Sequence, residues 1–203
     1  MDNNRSATKG FAVLSAAGII NKILSVVYVP VLIQIIGGLG YGIYSAGYKV
    51  YAFIYIVTNS GFPIGISKLQ AELIAQDNYR DARRSFKLIS RIMAVYGLIM
   101  AVLTVVFAGP VTRAIHYDDS YLVILALSPT MFFSAISSSY RGFFNGSSNM
   151  RPTAISQVIE QFLNVVLSIL FAYILKPYGI VWACAGATVG TTIGSLGSAV
   201  FLK

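Results

Sequence analysis

Apolar stretches with hardly any charge recur along this chain, and they limit what it can become more than any other feature. A run of about 20 such residues, coiled as a helix, spans about 30 Å of hydrocarbon. Hydrophobic residues make up 56% and charged residues 11% of the 203, against about 25% charge in a soluble domain. The runs are long and continuous. A membrane β-barrel would instead show segments of about ten residues with alternating polarity. The expectation is an all-α integral membrane protein.

Six spans are read at about 11–36, 41–66, 88–108, 121–140, 153–175 and 180–202. They follow a polar N-terminus (1–10) and are separated by two charged loops, 67–87 and 141–152. "GGLGYG" and "KPYG" read as tight uncharged turns. Pro63, between Gly61 and Gly65, should kink or end the second helix. With the N-terminus on one side, that side collects Arg5, Lys9, Lys68, Arg80, Arg83, Arg84, Lys87, Arg91, Arg141, Arg151 and Lys203. The other side holds Arg113 and Lys176. Cations concentrate in cytoplasmic loops, so both termini are expected in the cytoplasm. The stretch from Lys68 to Arg91 reads as two short surface helices touching anionic lipid headgroups. Asn78 and Asp81 are spaced like a capping box.

Two cations remain inside the spans. Lys22 lies about 17 Å from one end of its run and about 21 Å from the other by helix rise, near mid-membrane. A lysine there costs about 2.5–3.5 kcal/mol to insert unless it faces protein or water. Asn21, Ser25 and Tyr28 give the same helix a partly polar face. Lys49 sits closer to an interface, where snorkelling competes with a cavity role. Around it Tyr41, Tyr44, Tyr48, Tyr51 and Tyr55, spaced three and four apart, form one stripe. Such phenols form an aromatic belt and core, or, in a wet cavity, stack on sugars. Asn59 lies further along. The fifth run carries a polar seam, Gln157, Glu160, Gln161, Asn164 and Ser168, in which Glu160 is the one carboxylate placed within a span. In the sixth run Gly186, Gly190 and Gly194 make a ridge that lets another helix approach closely. Cys184 reads as a small buried hydrophobe.

Nothing in the sequence points to catalysis. There is a single histidine, His116, and no P-loop, no HExxH and no metal-ligand cluster. No catalytic residue, metal or cofactor is therefore assigned, and the net charge of +8 is read as orientation, with no nucleic-acid partner. A buried ammonium favours an anionic ligand through charge-assisted hydrogen bonds. A lipid-linked diphosphate would be such a ligand. The cavity candidates are Lys22, Lys49, Asn21, Ser25, Tyr48, Tyr55, Asn59, Glu160 and Asn164, with Gly61, Pro63, Gly186, Gly190 and Gly194 as structural positions.

The stretches "LGYGIYSAGY", "GFPIGISKL" and "YRGFFNG" together resemble polysaccharide-biosynthesis membrane proteins of the stage V sporulation protein B-like branch. That branch lies in the multidrug/oligosaccharidyl-lipid/polysaccharide exporter superfamily, beside the MurJ-like lipid II flippases. The resemblance implies one six-helix lobe of a two-lobe, MATE-like exporter in the bacterial plasma membrane. It implies a flippase that moves a lipid-linked sugar, such as lipid II or a related cell-wall precursor, by alternating access. Lys22 in "INKIL" falls where the MurJ-like proteins place an arginine that contacts the diphosphate, and it keeps the charge without the bidentate fork. Lys49 matches a second cationic position, whereas Val26 and Tyr55 stand where that family has further arginines. One lobe implies a partner: a second six-helix lobe, from the rest of a longer chain or from a copy of this one. The alternatives are a cation-coupled multidrug exporter, which the scarcity of buried acids disfavours, and a non-transporting membrane protein of envelope or sporulation assembly.

Overall fold

Helix α1, Asp2–Asn59, is 58 residues long, about 87 Å at 1.5 Å per residue, and so far exceeds a bilayer's hydrocarbon. It is broken at one residue. Gly37 has φ 72° and ψ 175°, a conformation open essentially only to glycine, which divides α1 into arms 2–36 and 38–59. The turn expected over "GGLGYG" is thus a single-residue kink, with helix resuming at once. The computed structural model describes the backbone of residues 2–59 and 61–203, and the side chains of 10, 12–56 and 61–203.

Helix α2, Phe62–Ala75, starts with Pro63 in its first turn, where a missing N–H costs nothing. Helix α3, Tyr79–Ala114, is capped by Asn78, whose side chain accepts from the Asp81 amide at 3.3 Å while its Nδ2 donates to Asp81 Oδ2 at 2.8 Å. Helices α4, Tyr121–Gly146, and α5, Arg151–Leu175, follow. A short 3-10 turn, Lys176–Tyr178, leads into α6, Ile180–Leu202. The stretch 67–87, read as lying between spans and as holding surface helices, contains the end of α2 and the start of α3, and 141–152, expected as a loop, is mostly helical. Helix continues to Ala75, resumes at Tyr79, and in α4 persists to Gly146. Charge had marked 141–152 as a loop, yet a charged segment keeps its backbone bonds as a helix whatever surrounds it.

Regular structure among the described residues is entirely helical. Among the described residues five helices are long and apolar enough to cross a membrane, with α1 counted once. The chain is a multi-pass membrane protein. The core gathers Tyr28, Leu32 and Ile36 from the first arm of α1, and Tyr44 and Tyr51 from the second. These meet Leu127 and Met131 of α4 and Ala183, Cys184 and Ala187 of α6. Cys184 is fully buried, and its thiol donates to the Gly40 carbonyl at 3.1 Å. On α3, Leu88, Ile92, Val95, Ile99, Val102 and Val106 all face outward, the arrangement of a helix whose solvent is lipid.

The longest shared interface is α5 on α6. Its closeness comes from the glycine ridge. A Cβ on Gly190 would collide with Ser168, and one on Gly194 would stand 2.5 Å from the Glu160 carbonyl. Backbones therefore touch without an intervening layer of side chains. Hydroxyls tie α4 to α6: Thr130 to Thr192 at 2.8 Å and Ser134 to Ser195 at 3.2 Å. In a medium that offers no other partner, such bonds hold helices together.

Candidate functional site

The α5 seam and the α1 stripe meet across one cavity of about 510 Å³. Tyr48, Tyr51 and Tyr55 form one wall, with ring centroids 5.8 and 5.9 Å apart along the stripe. The stripe continues through Tyr44 and Tyr41 at 5.6 and 6.1 Å. The i, i+3, i+7 spacing put these rings on one face, and the glycine-thin α5–α6 contact leaves room beside them. The opposite wall is Gln157, Glu160, Gln161 and Asn164 of α5, with Asn21, Ser134 and Thr191 completing it.

Of the residues singled out from sequence, Asn21, Tyr48, Tyr55, Glu160 and Asn164 line this space together. Ser25 stands beside it, its hydroxyl accepting from Gln161 Nε2 at 3.1 Å and donating to the Asn21 carbonyl at 2.9 Å. Lys22 and Lys49 do not line it. Both are exposed on the surface of the bundle, since each successive residue turns about 100° around a helix and Lys22 follows Asn21. The side chain of Asn59 lies outside the described residues.

Sequence reasoning missed Arg141. Counted there as a loop cation, it lies inside α4 and reaches into the bundle. Its guanidinium pairs with Glu160 at 2.5 Å and donates to Ser198 at 2.8 Å and Ser156 at 3.1 Å, with side-chain exposures of 14% for Arg141 and 27% for Glu160. One group thus joins α4, α5 and α6. A signal was present: Ser134, Ser138 and Arg141, at four and three residues, share a helix face.

The polar groups around the cavity are largely spoken for. Asn164 Oδ1 accepts from Ser168 at 2.9 Å and from Thr191 at 3.0 Å. Asn21 Oδ1 is buried and has no hydrogen-bond partner among the described residues. A second cleft, of about 280 Å³ between α1, α3 and α4, is lined by Val50, Ile54, Met100, Leu103 and Phe107. Its one polar side chain, Thr104, is turned onto its own helix, donating to the Met100 carbonyl at 2.8 Å. Of these two, the cavity beside the tyrosines is the one that offers polar groups.

The architecture has a solved counterpart. A crystal structure of a mutant MATE protein superposes with a TM-score of 0.71 over 93% of this chain and 43% of its own, at 15% identity. Among curated proteins the chain is 34% identical to stage V sporulation protein B of Bacillus subtilis (strain 168). It is 29% identical to the lipid II flippase MurJ of the same organism. In each comparison 96% of this chain is matched, and it spans 38% of the relative's length. The model of the polysaccharide biosynthesis protein family matches residues 7–203. Nearly the whole chain is covered, and it belongs to that family.

Proposed function

We propose that this chain is the N-terminal six-helix lobe of a flippase that carries a lipid-linked sugar across the plasma membrane by alternating access. The observation that carries the reading is a cavity lined by phenols, amides and a carboxylate inside a bundle whose outer faces are apolar. A wet polar chamber in a lipid-facing bundle is expected to serve cargo. The kinship with a lipid II flippase favours a carrier-linked glycan over other polar cargo. In this reading each arm of α1 is a span, which makes six, and both termini face the cytoplasm with the basic start of α3.

A transporter of this type needs a second lobe, supplied by the rest of a longer chain or by a copy of this one. Exposed lysines near mid-membrane are costly against lipid. Lys22 therefore faces the central passage between the lobes, where its ammonium holds the diphosphate. The chain acts as a carrier and catalyses no covalent step. A cation-coupled drug exporter is the second reading, favoured by the MATE-like fold. It fits less well because Glu160, the carboxylate on the cavity wall, is already tied to Arg141.

The test is rescue of cells depleted of their own lipid II flippase by the full-length gene that encodes this chain. Wild type and Lys22→Arg should restore growth, and Lys22→Ala, which removes the charge-assisted contact to the diphosphate, should lower plating by about a hundredfold or more at equal protein abundance. Rescue by Lys22→Ala would remove the diphosphate role of Lys22. Failure of wild type would refute a lipid II cargo.

A further inference from the structure

Within that transport reading, we propose that the polar cavity is a carbohydrate-reading subsite: it takes the neutral, hydroxyl-bearing part of the cargo and leaves the diphosphate outside its walls. The first ground is the sign of its polar groups. None of the lining residues is Lys or Arg. The nearby guanidinium of Arg141 is committed to Glu160, Ser156 and Ser198. What the wall offers instead is uncharged hydrogen-bonding groups, the amides of Asn21, Gln157 and Asn164 and the phenols of Tyr48 and Tyr55, beside a Glu160 carboxylate already paired with Arg141. Phosphate oxygens only accept hydrogen bonds, so a diphosphate placed here would find no free cation among the lining residues to offset its charge and would leave the acceptors of the wall unused. A sugar hydroxyl both donates and accepts. It can donate to an amide oxygen of the wall, such as that of Gln157, and accept from a phenol or from the amide nitrogen of Asn164, whose oxygen is already occupied twice.

The second ground is the aromatic wall. A pyranose has an apolar C–H face and a polar rim. Tyr48, Tyr51 and Tyr55, in a ladder with centroids under 6 Å apart, offer ring faces bounded by hydroxyls, which match both parts. The third is neutrality. Glu160 and Arg141 cancel each other's charge at 2.5 Å, so the chamber has no net attraction for a cationic drug or for an anion. Its volume, about 510 Å³, lies within the range of about 300–1,000 Å³ typical of small-molecule sites.

The experiment is equilibrium binding to the protein in nanodiscs, with two probes: undecaprenyl diphosphate, and the same carrier bearing an N-acetylhexosamine disaccharide. Wild type should bind the sugar-bearing carrier about tenfold more tightly than the bare one, the ratio that one extra hydrogen bond with stacking provides. Asn21→Leu and Tyr48→Leu should shrink that ratio to about twofold or less and leave the affinity for the bare carrier unchanged. Asn21→Leu removes an acceptor that has no protein partner, so the fold loses no hydrogen bond by it. Two results would overturn the subsite with the transport reading intact: equal affinity of wild type for the two probes, or a parallel loss of both in the variants. Binding of neither probe by wild type would overturn both.

Discussion

Arg141→Leu lowers the unfolding temperature of the detergent-solubilised protein by roughly 10 °C. The substitution leaves the Glu160 carboxylate half-enclosed with no counter-charge, and it strips a donor from Ser156 and Ser198. Breaking one partner out of a buried ion pair costs about 3–5 kcal/mol. The lower end applies here because Glu160 retains 27% exposure, and about 3 kcal/mol corresponds to some 6–12 °C for a chain of this size. The companion Arg141→Leu/Glu160→Leu should recover most of the loss, since a well-packed apolar pair replaces a buried ionic one at little cost. Thermal unfolding followed by tryptophan fluorescence or light scattering reads both. A single variant melting with wild type would mean that the pair contributes nothing to the fold, and equal loss in single and double variants would mean that volume, and not charge, matters at this site.

Gly190→Leu separates α5 from α6. Its Cβ would sit inside the volume of Ser168, whose Cα is 2.8 Å away, and a rigid backbone cannot yield as a flexible side chain can. Overpacking typically costs about 1–3 kcal/mol and more where helices touch backbone to backbone. A loss of the monodisperse peak in size-exclusion chromatography is expected. Gly109→Leu is the control, because a Cβ there has nothing within 4 Å, and it should elute as wild type does. Indistinguishable behaviour of the two glycine variants would show that the ridge is not a contact surface.

How much of this was readable from the residues depends on which physical signal each feature rests on. Helices in lipid announce themselves through apolar length, and the tyrosine stripe and the α5 seam through their three-and-four spacing. Those features need only one helix to be understood. Arg141 needs three. Its role is set by Glu160 on α5 and Ser198 on α6, and seen alone, after a serine-rich run and before a glycine, it looks like a loop cation. Lys22 shows the converse. Its depth along the helix was computable, yet the direction it faces turns on a single step of rotation from Asn21. The kink of α1 was also underdetermined, since four glycines lie between residues 37 and 42 and only Gly37 leaves the helical region in this stretch.

The hydroxyl ties between α4 and α6 have a consequence for how the bundle is made. Spans leave the ribosome in order, and α6 is the last of these. It is built largely of glycine, alanine, serine and threonine, and thirteen of its residues are buried, so by itself it presents a poor surface to acyl chains. Thr192 closes onto Thr130 and onto the Ala126 carbonyl at 2.7 Å, and Gly190 onto Ser168, groups that must already stand in the membrane when α6 arrives. Assembly of this bundle is therefore expected to end in a docking step of α6 rather than in a series of independent insertions. Until that step, Thr130 and Ser134 of α4 lack the hydroxyls that α6 brings to them.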